Sequence, residues 1–545
     1  MMSSEQKGYP PVVIVGAGPT GLALAVELGT RSVPCLVVER DPERGFAPRA
    51  KTTHVRTREL MRRWGIADDL ARAAPFGIDY PSNIFFVTRL NGHQIARFDN
   101  ALNTAPVRDE RYSEHAQWVP QYKLEAVLRD KAESLPSVDF RYGVEFVGVE
   151  QDADGIRVQL LSVETGDTER IDATYLIGAD GARSAVRSSI GAKMEGRYGL
   201  SRNYNIIFEA PGLAEAHPHG PGIMYWLCNS DAPGVIGPMD SGDRWYFGVM
   251  GLPPDVTLSD EAALSLIKRS TGIDLPYHIV DSDVWIASRL IADGYQKGNI
   301  FLAGDACHLH PPFGGFGMNM GIADAVDLGW KIAAVIQGWG GPALLDSYEI
   351  ERRPAHEMVM NEAEANHAVL SQHLLRDGLE DDGPIGAAAR SEVAEIVRRE
   401  KEREFYALGV VLGLPYHGSP VIEYDGSEAE WTMSHDYVPS ASPGSLAPHA
   451  WLNDGRSLYD LFGEAFTVLA FTAAQKDALT MARDEAERTN TPLTVVTLID
   501  PRLAALYEAP LALIRPDQFV AWRGDRWPTE GLLLKVTGRA PAHIG

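Results

Sequence analysis

The 545-residue sequence predicts an α/β protein of two or three domains, and three observations carry that prediction. The β-branched run Val12 to Val15 leads into glycines at positions 16, 18 and 21 and then an apolar helix. A second run, CLVVER, delivers Glu39 at its tip, 18 residues after Gly21. Far downstream, NIFLAGDA ends another strand in a carboxylate, Asp305, and opens a glycine-rich loop. A chain of this length exceeds what one compact core holds.

The first run suits a strand buried on both faces. Gly16, Gly18 and Gly21 follow it at GxGxxG spacing, with Pro19 and Thr20 between them and the helix LALAVEL behind. Gly16 allows the tight turn, Gly18 a close backbone approach to phosphate, and Gly21 close packing of helix on strand. A pyrophosphate would sit on the helix N-terminus. Glu39, followed by Arg40, is placed to accept hydrogen bonds from ribose hydroxyls. Its charge would repel a 2′-phosphate, so the site suits the adenosine of FAD or NAD better than NADP. Strand, glycines, helix and acid in that order define a Rossmann-like unit.

That unit is assembled from separated pieces: 1–75 with the helix RTRELMRRWGIADDLARA, 115–190 ending at YLIGADGARSAVR, and 286–370. Residues 76–114 and 195–285 are rich in aromatics and alternating patterns, as in GIMYWLCN and RWYFGVM, and read as an inserted β-sheet domain. Its aromatic face supplies Tyr225, Trp226 and Tyr246 as pocket candidates, with ordinary sheet core as the other reading. Residues 371–445 form a helical segment and a Pro/Gly/Ser-rich linker. Residues 446–545 alternate strands and helices in an order that resembles a thioredoxin-like fold. This unit contains no cysteine, so thiol redox chemistry is excluded there. Packing or homodimer formation remains as its role.

Composition narrows the class. A net charge of -24 argues against a nucleic-acid partner. MMSSEQKGYPP shows no signal pattern, and no apolar stretch approaches the ~20 residues that span a bilayer. Cys35, Cys228 and Cys307 form no CxxC pair, which suits a reducing cytoplasm. Arg56, Arg58, Arg62 and Arg63 lie on one helix and read as a solvated face. His308 and His310, one residue apart, lack a third ligand or a carboxylate at matching spacing, so no metal is expected.

At Asp305 the reading becomes specific. Its carboxylate sits where it can bond a polyol chain. The proline pair, the glycine-rich loop and a helix beginning near Met318 place backbone N–H groups where a flavin ring that turns anionic on reduction gains most.

VVIVGAGPTGLALAVEL with Glu39, Asp180-Gly181-Ala182-Arg183-Ser184 with Arg187, and GDACHLHPPFGGFGMNMGIADAVDLGWKIA resemble the three signatures of the single-component flavoprotein aromatic hydroxylases, the group of p-hydroxybenzoate, 2-hydroxybiphenyl and phenol hydroxylases. The resemblance spans residues 10 to about 365, and the tail is similar to the thioredoxin-like extension of the phenol hydroxylase branch. It implies an enzyme in which NADH or NADPH reduces FAD and O2 is activated as a flavin C4a-hydroperoxide that hydroxylates a phenolic ring. It further implies that Glu39 binds ribose, Arg49 reaches the pyrophosphate, Gln121 contacts the flavin side chain and Asp180 touches FAD and nicotinamide. Asp305 would bind the ribityl chain. Gly315, Gly317 and the backbone at Met318 and Asn319 would hold the ring, with the Pro312 carbonyl beside the oxygen chemistry.

A group that helps the phenol lose its proton is then required. Where 2-hydroxybiphenyl hydroxylase carries a histidine two residues beyond the PRA-type arginine, this chain has Lys51, and His54 follows. Lys51 would act by stabilising a phenolate, His54 by accepting a proton. Tailoring of a polyketide-type aromatic and Baeyer–Villiger oxygen insertion share the same scaffold, and a flavin carrier without turnover is the reading from another class.

Overall fold

The computed structural model describes residues 11–42, 50–152, 155–253, 256–428, 432–529 and 531–539. Val12–Val15 lies in the middle of a six-stranded sheet whose order is Gln296–Lys297, Ile300–Leu302, Leu176–Gly178, Val12–Val15, Cys35–Glu39, Val138–Tyr142. All neighbours are parallel except the first pair, with Val13 beside both Leu176 and Leu36. Burial on both faces explains the unbroken apolar runs. The helix Pro19–Thr30 packs on this sheet with Leu22 to Val26 at 0% exposure. The sequence RTRELMRRWGIADDLARA forms two helices, Val55–Arg63 and Ala67–Ala73, because Gly65 between them adopts φ +74°.

Strands from both aromatic segments join one eight-stranded sheet. Its order is His308–Leu309, His278–Ala292, Met194–Glu209, Arg244–Val249, Gly234–Asp240, Met224–Leu227, Ile84–Val87, Gln94–Phe98. The long central pair runs from Met194 opposite Ala292 to Glu209 opposite His278. At one edge, Leu290 and Ile291 pair with Leu309 and His308, so the glycine-rich loop grows directly out of this sheet.

Alternation then sorts the aromatics. Phe86, Trp226 and Tyr246 lie on the face that meets Phe313 and the helix Gly383–Phe405. Tyr225 lies on the opposite face among Phe85, Trp245 and Phe247, stacked on Phe85 at 5.2 Å and donating its hydroxyl to Gly220 O at 2.5 Å. It therefore leaves the set of pocket candidates, because adjacent strand residues cannot share a face.

Toward the C-terminus, a four-stranded sheet has the order Leu493–Thr497, Phe466–Ala470, Leu511–Ile514, Val520–Gly524. The first two strands are parallel, linked by the helix Lys476–Thr489, and the last two form an antiparallel hairpin. This is the thioredoxin-like arrangement. The cysteines at 35, 228 and 307 are all buried and unpaired.

The basic helix is not a solvated face. Arg58 is 2% exposed and donates to Ala67 O, Gln117 and Glu114. Arg56 donates to Gln518 Oε1 at 2.6 Å and Asp517 O at 2.7 Å, Arg62 forks onto Asp460, and Arg63 reaches Pro516 O. Arg56, Arg62 and Arg63 dock the C-terminal domain, while Arg58 ties the helix to its own domain; helical spacing could not reveal partners about 400 to 460 residues downstream.

A buried ionic cluster completes that joint. Arg515, 1% exposed, donates to both oxygens of Glu351 at 2.7 and 2.9 Å, to Asp327 at 3.0 Å and to Asp517 at 2.6 Å. Lys331 bonds Asp327 and Glu351 from the other side at 2.8 and 2.6 Å.

Candidate active site

The two glycine-rich segments meet in space. Thr20, in the first turn of Pro19–Thr30, fills the gap to the second segment: a Cβ on Gly304 would fall 2.5 Å from Thr20 Oγ1, and one on Gly321 2.4 Å from the same atom. Helices Pro19–Thr30 and Phe316–Ile336 consequently begin side by side. Each has a glycine N-cap, Gly18 or Gly315, without a side-chain cap and without an acidic residue in its first turn. The first-turn N–H groups, those of Thr20 and Gly21 in one helix and of Phe316 to Met318 in the other, therefore have no intrahelical acceptor.

Two glycines of the motifs have open backbone. A Cβ on Gly18 or Gly317 would meet nothing within 4 Å. Gly16 and Gly21 are instead closed: their Cβ atoms would lie 2.4 Å from Ala179 O and 1.9 Å from Gly16 O, and Gly16 has φ +105°. Gly16 and Gly21 are required by the fold, whereas Gly18 and Gly317 face open space. Glu39 is half-buried and accepts from Ala17 N at 2.7 Å and Asp41 N at 3.0 Å, while Arg40 is exposed beside Asp41. Asp305 and Pro312 are exposed. Arg49 lies outside the described residues.

Several named residues brace these segments. Gln121 starts the helix Gln121–Glu133 and binds Ala50 through both its N–H and Oε1, at 2.9 and 3.2 Å. Asp180 accepts from Ser184 Oγ, Ala185 N and Val186 N, and Arg187 crosses to Ala306 O at 2.8 Å, joining the second motif to the third. The helix after the loop begins at Phe316, two residues before Met318. Asn319 is fully engaged: Oδ1 accepts from His54 N and Thr57 Oγ1, while Nδ2 donates to Thr52 O and Gly315 O.

His54 and Lys51 part company here. His54 Nε2 lies 2.9 Å from the Gly314 carbonyl, which can only accept, so this nitrogen carries the proton. Burial holds the ring's pKa down at about 4, against the opposing effect of the Gly314 bond. Lys51 Nζ sits 3.9 Å from the centroid of the Tyr246 ring. No carboxylate among the described residues pairs with it, and burial lowers its pKa to about 8. Trp118 also lies beside Tyr246, at 6.5 Å between ring centroids.

His308 and His310 acquire neighbours that spacing concealed. Asp324 Oδ2 accepts from His308 Nε2 and Gly304 N, at 2.8 and 3.0 Å. Its Oδ1 accepts from His356 Nε2 and Arg352 Nε, both at 2.8 Å. Burial alone would raise this carboxyl's pKa, but His356, Arg352 and His308 outweigh it and hold the group well below its ordinary range. His310 Nε2 lies 3.4 Å from His356 Nδ1. Sequence spacing offered no third ring or carboxylate; both are supplied by other helices, His356 from Pro342–His367 and Asp324 from Phe316–Ile336. With four donors on Asp324, the cluster acts as a brace for the Gly304 turn.

Paired uncapped helix ends, an open glycine backbone and an acidic residue at the second strand tip fit an elongated dinucleotide bearing a redox ring. The fold and site thus define a flavin-dependent oxidoreductase. Residues 9–363 match the family model described as FAD binding domain, and residues 440–540 match that of the aromatic-ring hydroxylase C-terminal region. The tetracenomycin B2 monooxygenase-dioxygenase of Streptomyces olivaceus is 34% identical over 94% of this chain and 95% of its own. The 4-methyl-5-nitrocatechol 5-monooxygenase of a Burkholderia species is 32% identical over 94% of each. The solved structure of RebC with bound 7-carboxy-K252c superposes with a TM-score of 0.90 at 35% identity, covering 98% of this chain and 100% of that one. This chain belongs to the FAD-dependent aromatic-ring hydroxylases, and is a monooxygenase that uses FAD with NAD(P)H and O2.

Proposed function

We propose that the enzyme hydroxylates a phenolic ring held between the Trp226–Tyr246 face of the large sheet and the Pro312–Gly315 loop, with Lys51 stabilising the phenolate. The observation that carries this reading is the unpaired Lys51 ammonium over Tyr246. An ammonium taken out of water without a carboxylate is costly, and an anionic oxygen in the pocket would offset that cost. His54 is better suited to holding Gly314 than to accepting a proton, because its Nε2–H is committed to that carbonyl. When bound, FAD supplies the electrons and the activation of O2; the protein orients the ring, excludes water and raises its nucleophilicity.

Gly18 and the N–H groups of Gly317, Met318 and Asn319 would hold FAD, with Glu39 on its ribose and Asp305 on its ribityl chain. Because a Cβ on Gly18 meets no protein atom, Gly18→Ala is expected to fold normally yet bind FAD at least about tenfold more weakly, since the new methyl sits where phosphate approaches. Retention of yellow colour through gel filtration, compared with Gly21→Ala, checks this. The Gly21 variant should fail to fold well, its Cβ colliding with Gly16 O.

Substrate size divides into two readings. The named relatives include one acting on a nitrocatechol and one acting on tetracenomycin B2. A panel of substituted phenols, catechols and fused-ring phenols separates them, scored for stimulated NAD(P)H oxidation and a product heavier by one oxygen. A yellow protein whose oxidation of NAD(P)H no phenol stimulates would overturn the proposal. No helix among the described residues is long and apolar enough to cross a membrane, and the buried unpaired thiols support a reducing, cytoplasmic setting.

A further inference from the structure

Gly314 is held from both sides by side chains that come from different parts of the chain. Its carbonyl accepts from His54 Nε2 at 2.9 Å, and its N–H donates to Glu404 Oε1 at 3.3 Å. The other oxygen of Glu404 accepts from Lys401 Nζ at 2.7 Å, and Lys401 also donates to Asn366 O at 3.1 Å. Lys401 is 0% exposed and Glu404 5%. The ammonium lies 4.3 Å from the Trp226 ring centroid and 5.3 Å from that of Phe313.

A buried ion pair is poor value for stability alone, since apolar residues of similar size often serve as well. Here it stands on an otherwise apolar stripe of the helix Gly383–Phe405, with Val393, Ala394 and Val397 on the same face. A charged acceptor binds a backbone N–H more strongly than a neutral one. The N–H in question belongs to the loop residue two places after Pro312, in a segment where Gly314 and Gly315 both have positive φ, +82° and +69°. The same ammonium touches the ring faces of Trp226, from the large sheet, and Phe313, from the loop.

We propose that Lys401 and Glu404 form a positioning pair that locks the Pro312–Gly315 loop in register with the aromatic wall. The pair acts through Gly314 and touches neither substrate nor cofactor. It rests on the placement of the flavin ring at this loop and not on the identity of the phenol. Its function would be to keep reduced-nicotinamide consumption coupled to oxygen transfer, since a loosened loop admits water beside the reactive ring and releases hydrogen peroxide instead of product.

Amide hydrogen exchange of the peptide spanning 310–318, in the FAD-loaded enzyme without substrate, reads the lock directly. Glu404→Leu removes the acceptor and leaves Lys401 unpaired; exchange at this peptide should accelerate about tenfold, the loss of one charge-assisted bond. The double variant Lys401→Met with Glu404→Gln keeps an oxygen acceptor for Gly314 and removes both charges together. It should restore slow exchange and, with any phenol that the enzyme accepts, a low peroxide yield. If Glu404→Leu does not fold, Glu404→Gln alone takes its place, with faster exchange than the double variant expected. Unaltered exchange in the single variant, or a double variant as fast as the single, would overturn the proposal. Because this measurement needs no turnover, a failed phenol panel leaves it standing, and its failure leaves the substrate reading standing.

Discussion

Replacing Arg515 with methionine is expected to destabilise the protein by about 3–5 kcal/mol, because it leaves buried carboxylates without their principal partner. Glu351 would keep only Lys331 and the Ser419 hydroxyl, and Asp517 would lose the guanidinium two residues away. Burial favours the protonated form of Glu351, but Arg515 and Lys331 reverse this and hold its carboxyl below the usual range. The variant should therefore show a lower midpoint in urea. The joint between the C-terminal and FAD domains should weaken first, exposing the linker near Tyr416, which the guanidinium faces at 5.2 Å, to limited proteolysis. Equal midpoints for parent and variant would show that the cluster contributes nothing. A further substitution, Glu351→Gln in the Arg515→Met background, should recover part of the loss by removing one uncompensated charge.

The second large effect concerns turnover. Lys51→Met is expected to lower the hydroxylation rate about 100-fold, the scale of removing one positioned charge donor from a developing anion, with FAD still bound. The pH dependence has a definite sign. The ammonium is intact below its pKa of about 8 and is lost above it, so the parent rate should fall as pH rises through that value. In Lys51→Met this alkaline limb should disappear, whereas a parent-like profile in the variant would remove Lys51 from the mechanism. His54→Gln serves as the contrast. If His54 only holds the Gly314 carbonyl, glutamine donates in its place and the acid side of the profile stays unmoved.

The strand–glycine–helix units were legible in sequence because their requirements are local. A glycine that must admit phosphate, a helix start without a cap and an acid at a strand tip each fall within a few residues of one another. The contact of Thr20 with Gly304 and Gly321 extended that reading without changing it. The long-range contacts were not legible, because they form only through the fold. Lys51 meets Tyr246 of the large sheet, and Asp324 and His356 reach His308 from two separate helices.

One error was avoidable in physical terms: strand parity already forbade Tyr225 and Trp226 from facing one pocket. Residues 393, 397, 401 and 404 recur at the spacing of one helical face, which marks Lys401 and Glu404 as core positions of their helix. The docking of Arg56, Arg62 and Arg63 had no such signal, since nothing on that helix distinguishes a partner domain from water.

The strand His308–Leu309 is one edge of the eight-stranded sheet and, within four residues, becomes the Pro312–Gly315 loop. The aromatic sheet and that loop are thus one continuous piece of backbone. For anyone recombining members of this family to change what they oxidise, the natural crossover points lie outside 278–336. A graft that exchanged the aromatic sheet but kept the host's loop would set a foreign Ile291 against a native His308, and would shift the aim of the chemistry along with the shape of the pocket.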